Sequence, residues 1–375
     1  MYIWEDAHWP DFTWDAGALE KLLSEARFKQ GRLVGRMAGL GFDLQERAVL
    51  ETLTRDIVKS SEIEGKKLDL QQVRSSIARR LGVDIGTLVA ADRTVEGVVE
   101  MALDATRHFD RPLTEERLFG WHAALFPTGR SGLTTIRVGD WRDDRDGPMR
   151  VVSGPVGRER VHYQAPPAPR LPAETRRFID WFNAPGDIDR VLRAALAHLW
   201  FVTIHPFDDG NGRIARAIAD MALAESENSR QRFYSLSAQI RAERNDYYAA
   251  LERTQKGGMN ITAWMEWFLA CLTRAIDGAD ETLAAVLIKA RFWEVHAGQS
   301  FNRRQRKLIN RLLDGFEGKL TSSKWAKLAK CSQDTALRDI ADLMNKGVLT
   351  KDAGGGRSTS YSLARPRRAD ALGGF

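Results

Sequence analysis

The chain has 375 residues, 43% of them hydrophobic and 28% charged, with a formal net charge of +6. That is length for two or three domains and apolar content enough for a sizeable core, as in soluble globular proteins. The two cysteines, Cys271 and Cys331, lie far apart without CxxC spacing, which argues against a disulfide framework or a zinc site and fits a reducing compartment.

The opening residues, MYIWEDAHWPDFTWD, lack a basic segment followed by an apolar one, so they read as something other than a signal peptide. Trp4, Trp9 and Trp14 around Pro10 suggest an extended aromatic strap on a helical core. Helical periodicity follows over Ala18–Ala38, Leu44 to about Ser61, Leu68–Leu81, Ala90–Phe109 and Leu113–Leu125, with Thr114 as an N-cap for the last. Residues 127–170 break the pattern. Two β-type runs, 150–153 and 160–163, flank Gly154 and Gly157 and predict a hairpin, and a Pro-rich stop ends it.

Helices resume over Ala173–Phe182, Val191–Ile204, Arg213–Ser226, Asn245–Thr254, Ile261–Ile276 and Asp280–Val295. Val191–Ile204 is apolar but is broken by Arg193 and His198 and is too short to span a bilayer. No membrane partner is expected, and the expected location is the cytoplasm. The last section differs. Arg304–Leu313, Thr321–Ala329 and Gln333–Lys346 read as helices, and runs at 347–350 and 360–363 flank a Gly354–Gly356 tip. This is the element order of a winged helix-turn-helix. From Phe301 onward there are 16 Lys/Arg against 7 Asp/Glu, so the first 300 residues carry a slight negative balance. DNA is therefore a possible partner of this section alone. Gln333 and Arg357 would suit it, whereas Asp334 and Asp339 on the same third helix repel phosphate. Target docking and dimerisation are equal alternatives.

The chemistry concentrates in His205-Pro-Phe-Asp-Asp-Gly-Asn-Gly-Arg-Ile-Ala-Arg216, between two helical runs. Gly210 and Gly212 permit a sharp turn and close approach of a ligand. The helix that follows points unpaired N–H groups back into the loop, making an anion site. Arg213 and Arg216, three apart, share a helix surface. Asp209 is a hard oxygen ligand suited to Mg2+, and His205 has the pKa range of a general base. Anion cradle, metal ligand, cations and base together point to phosphoryl or nucleotidyl transfer.

This segment resembles the signature of the Fic family, HPFx(D/E)GNGRxxR, at every fixed position. The resemblance implies a mainly helical, all-α Fic fold with a small β-hairpin flap, to which the winged helix is appended. It also implies protein adenylyltransferase activity, with ATP as substrate and Mg2+ as cofactor, AMP passing to a Tyr, Thr or Ser hydroxyl of a target protein or of the chain itself. On that resemblance His205 would deprotonate the hydroxyl and Asp209 would hold Mg2+. Gly210, Asn211 and Gly212 would steady the α-phosphate, Arg213 the β-phosphate and Arg216 the γ-phosphate.

Ser60, Glu64 and Gly65 similarly resemble the family's inhibitory motif (S/T)xxxE(G/N), which implies that Glu64 pairs with Arg216 and withholds it from ATP. The 150–163 hairpin stands where the family has its flap, with Val161 and His162 as docking residues, and Tyr248 and Gln255 would border the adenine. Relatives often pair, so a homodimer is expected. The expected organisation is an N-terminal helical region at 1–110, a catalytic core at 111–298, a winged helix at 299–365 and a tail at 366–375. Two other readings stay open: removal of AMP by the same site, and a DNA-binding regulator whose Fic-like region senses a nucleotide.

Overall fold

The computed structural model describes residues 1–364 other than 87, 146, 156, 314, 315, 317 and 353–358; the side chains of 281, 282 and 285 are also outside the described set. Arg357 and the expected tail at 366–375 thus lie outside the described residues. Among those described, two compact units form. One comprises residues 1–83 and 88–282, and the other the residues from 283 onward with 84–87.

In the first unit an N-terminal strap leads into α1 (Ala16–Ala38), α2 (Phe42–Ile63), α3 (Leu70–Leu81), α4 (Arg93–Arg107) and α5 (Glu115–Leu125). All but α2 start on side-chain caps: Asp15 accepts from Ala18 N–H, Asp69 from Gln72, Asp92 from Val95 and Thr114 from Arg117. Two antiparallel hairpins follow, β1 (Arg130–Ser131) with β2 (Thr134–Thr135) and β3 (Arg150–Ser153) with β4 (Arg160–Gln164). The first has two-residue strands and left no alternating pattern in the sequence. Then come α6 (Leu171–Asn183), α7 (Arg190–Ile204), α8 (Asn211–Glu227), α9 (Leu236–Ala242), α10 (Arg244–Gln255) and α11 (Thr262–Asp277); α12 (Ala279–Val295) begins in this unit and has its residues from 283 onward in the second.

The fold is all-α apart from these small strands. Its centre is α7, mostly apolar and buried along nearly its whole length, as a helix enclosed by others must be. α8 packs against it as its hairpin partner, and α11 donates Trp264 Nε1–H to Ala195 O at 2.8 Å. The strap is ordered by its tryptophans. Trp4 Nε1–H donates to Gln164 O and Trp9 Nε1–H to Glu174, each at 2.8 Å.

The second unit contains α13 (Arg303–Leu313), β5 (Leu320–Thr321), α14 (Ser322–Ala329), α15 (Gln333–Asn345), β6 (Leu349–Lys351) and β7 (Ser360–Leu363), with sheet order β5-β7-β6. Leu308, Ile309, Trp325, Ile340, Leu343 and Val348 fill its core. One sequence expectation is corrected here. Asp339 does not present a repelling charge to solvent: it is buried, with Arg304 Nε donating to it at 2.8 Å and Asn302 Nδ2 at 2.8 Å. Its charge is answered inside the unit.

Candidate functional site

The site is the turn between α7 and α8. α7 ends at His205, which takes the left-handed conformation (φ 50°) as its C-cap. The His205 Nδ1 lies 3.1 Å from Val202 O. A carbonyl only accepts, so Nδ1 carries the proton and Nε2 keeps its lone pair. Burial pushes the imidazole below its ordinary pKa, outweighing the Val202 hydrogen bond. It is therefore neutral at pH 7, in the form that takes up a proton.

α8 begins at Asn211, two residues earlier than the periodicity indicated, because Gly210 (φ 87°) makes the left-handed turn just before it. The Asn211 side chain turns inward. Its Oδ1 accepts from Phe207 N–H at 2.9 Å and its Nδ2 donates to Phe207 O at 2.7 Å. That amide pins the loop, so what Asn211 and its neighbours hold toward an anion is the backbone of the helix start.

Asp209 is half-buried. One carboxylate oxygen accepts from Ser131 Oγ in a short contact and the other from Gly210 N–H at 2.6 Å. Arg213 Nη2 stands 3.9 Å from it, beyond hydrogen-bond range. Arg213 is buried, lies 5.0 Å over the Phe126 ring, and leaves Nε and Nη2 without partners. Burial lowers its pKa. A buried guanidinium with unmatched donors is a strong attractor for an anion.

Arg216, one turn further and also buried, is engaged instead. Its Nη2 lies 2.8 Å from Glu64 Oε1, its Nε donates to Ser60 Oγ at 2.9 Å and its Nη2 to Ser60 O at 3.0 Å. Burial alone would lower its pKa, but Glu64 and Tyr247 outweigh that and hold it raised. Glu64 is the C-cap of α2. Gly65 (φ 73°) ends the helix behind it, with Gly65 N–H on Glu62 O and Lys66 N–H on Ser61 O. The carboxylate sits directly over the start of α8: a Cβ added to Gly212 would lie 2.3 Å from Glu64 Oε1. A carboxylate thus occupies the place a helix start offers to a phosphate.

Three residues that the sequence reading passed over hold this loop. Arg142, buried, donates from Nε to His205 O at 2.8 Å and from Nη2 to Pro166 O at 2.5 Å, and its own N–H reaches Pro206 O. His122 accepts from Gly139 N–H on Nδ1 at 3.2 Å, which puts the proton on Nε2, 3.1 Å from Asp209 O. Its ring stacks on Phe207 at 4.2 Å, and burial pushes its pKa down to about 4. Ser131 is the third. In sequence an arginine among aspartates and a single helical histidine carry no spacing signal.

The other candidate residues fall nearby. Tyr248 OH and Arg244 Nε lie 3.5 and 3.0 Å from Ile63 O, at the end of α2. Gln255 is buried under the last turn of α7, with Nε2 donating to Thr203 Oγ1 at 3.3 Å. In the β3–β4 hairpin Val161 faces Val152, and a register shift leaves His162 as the unpaired extra residue. Tyr163 OH roots the hairpin on Thr203 O at 2.7 Å, two residues before His205.

A protein-family model described as Fic/DOC family matches residues 112–223, and one described as a domain of unknown function (DUF4172) matches residues 2–83. The chain is 26% identical over 249 residues to a Protein adenylyltransferase Fic of Nematostella vectensis, covering 62% of this chain and 50% of that one. A second, from Culex quinquefasciatus, is 28% identical over 238 residues, covering 62% and 42%. The chain spans about half the length of these curated relatives or less. In fold it is similar to the crystal structure of a Fic family protein from Desulfovibrio desulfuricans G20, with TM-score 0.53, 22% identity and coverage of 96% of this chain and 99% of that one.

Proposed function

Since residues 112–223 place the chain in the Fic/DOC family, we propose that it is a protein adenylyltransferase restrained by its own Glu64. The observation that carries this reading is the pairing of Glu64 with Arg216 directly over the start of α8, one side of a loop whose other side is a neutral imidazole with a free Nε2. A carboxylate there mimics the phosphate it excludes. With Glu64 withdrawn, Arg216 joins Arg213 and the α8 backbone in holding a triphosphate. The target hydroxyl gives its proton to His205 Nε2 as its oxygen attacks the α-phosphorus, and pyrophosphate departs. Catalysis is then positioning plus charge stabilisation.

The donor set fits Mg2+ in its usual manner, one carboxylate completed by phosphate oxygens and water. Asp209 would hold it, and no cluster of three or more His, Cys, Asp or Glu suited to a metal occurs among the described residues. When bound, the ion would offset charge on the phosphates.

The test is Glu64→Gly protein incubated with ATP and Mg2+ and weighed intact. Each modified site adds one AMP to the mass, and the rate should rise at least about tenfold over the parent, in which the carboxylate must first leave a buried guanidinium. A mass unchanged in both, with no transfer to proteins of a lysate, would sink the reading.

We read the second unit as a winged helix-turn-helix that docks a protein partner. The solvent face of α15 shows Leu337 and Met344 beside Arg338, where a base-reading helix would carry polar groups. A salt-dependent gel shift with duplex DNA would reverse that preference.

A further inference from the structure

The β3–β4 hairpin carries a constellation that the adenylyl-transfer chemistry at the loop does not use. Ser153, the last residue of β3, is exposed and pairs with Arg160. His162, two residues along β4, lies diagonally on the same face, within side-chain reach. Its Nε2 is 2.6 Å from Ser153 Oγ, and its Nδ1 is 2.7 Å from Glu252 Oε2 on α10. A carboxylate only accepts, so Nδ1 bears the proton and the Nε2 lone pair receives the serine hydroxyl. Hydroxyl, imidazole and carboxylate stand in the order nucleophile, base, orienter. Glu252 is held ionised, its pKa lowered to about 2 by Lys256 first and then by His162 and Arg160.

Such a hydroxyl needs an electrophile. Among its described residues the hairpin has no helix start of its own to cradle a phosphate or an oxyanion, so a phosphoryl electrophile must arrive already held. The loop after His205 is such a holder, and Tyr163 roots the same hairpin two residues from it.

We propose that Ser153 is a primed acceptor and the residue on which this chain takes an AMP group from ATP. The inference rests on the adenylyltransferase reading and names its self-modification site. The Ser153 Oγ–phosphorus bond forms as the bond from the α-phosphorus to the oxygen bridging the β-phosphate breaks. Pyrophosphate leaves, and the hydroxyl proton passes to His162 Nε2.

The experiment is peptide mapping of Glu64→Gly protein after ATP and Mg2+, with a lysate as a second source of acceptors. AMP should appear on Ser153, vanish from that peptide in Ser153→Ala and persist in Ser153→Thr, whose hydroxyl is retained on a residue that suits a strand. Glu252→Gln should slow labelling of Ser153 at least about tenfold while lysate proteins are still labelled. AMP on other residues or on lysate proteins with Ser153 bare would overturn the proposal and leave the enzyme reading intact. So would labelling of Ser153 indifferent to Glu252→Gln. Label on nothing at all would remove the adenylyltransferase reading itself.

Discussion

The loop from His205 to Arg213 and the hairpin from Arg150 to Gln164 are held by opposite means. In the loop, one residue after another is fixed, by Asn211 from within on Phe207 and by groups from distant parts of the chain elsewhere: Arg142 on His205, Arg137 N–H on Asp208 and His122 on Asp209. The hairpin is held by its own ladder, at its root by Tyr163 and Trp4 and on one side by His162 and Arg160 against Glu252, while Val152 and most of Arg160 stand exposed. The difference separates two demands. A reacting group tolerates little displacement, so its backbone is over-determined. A surface that receives a partner strand needs a fixed base and a free edge.

The largest effect should come from the loop's base. His205→Asn keeps a residue that tolerates the left-handed conformation but has no titratable nitrogen. Transfer to lysate proteins by the Glu64→Gly background should fall at least about a hundredfold, with the melting temperature nearly unchanged. A modest loss would mean that another group takes the proton, and the rigidity of the loop would need a different reason.

Gly212→Ala comes next. Its Cβ would meet Glu64 Oε1 at 2.3 Å and Arg216 Nη1 at 3.2 Å, so in the parent protein the carboxylate must move. In the Glu64→Gly background the methyl remains where a phosphate would approach the helix start, and the transfer rate should drop about tenfold or more. An unimpaired rate in that double variant would show that the anion does not come this close.

These contrasts explain what was legible in the sequence. The mainly helical fold followed from apolar periodicity, and α7 stood out because it is apolar over most of its length. The loop could be read because its chemistry is contiguous: glycines, carboxylate, arginines and histidine fall within twelve residues. What steadies it could not. His122 and Arg142 lie 87 and 63 residues from their partners, and only folding makes such pairs. The β1–β2 hairpin, which supplies Ser131, was too short to leave a pattern. Asp339 looked like a surface charge because its partner Arg304 sits on another helix.

Two buried histidines, His122 beneath the loop and His198 within α7, also predict a pH dependence. His122 has its pKa lowered to about 4 and His198 to about 3, both chiefly by burial. Unfolded, each titrates near 6.5, so between those values the unfolded chain binds more protons than the fold. The stability these residues contribute is complete above about pH 6.5 and declines as pH falls toward 4. Melting temperature measured across that range should slope downward on acidification. His122→Gln should melt lower at pH 7 but with a flatter slope; a slope as steep as the parent's would assign the titration elsewhere.

The smallest effect belongs to the hairpin's root. Trp4→Phe retains the ring that sits under Arg170 and removes only the N–H that reaches Gln164 O. Loss of one such bond costs about 1 kcal/mol, so the global melt should shift little. The cost should instead fall locally, because β4 loses a tie at its end while the β3–β4 ladder stays intact. Hydrogen exchange at residues 160–164 should quicken by up to about fivefold, with amides of the loop at 205–213 unaffected. Equal quickening in both segments would mean that hairpin and loop open as one cooperative unit, and the separation between a fixed chemical centre and an adaptable edge would fail.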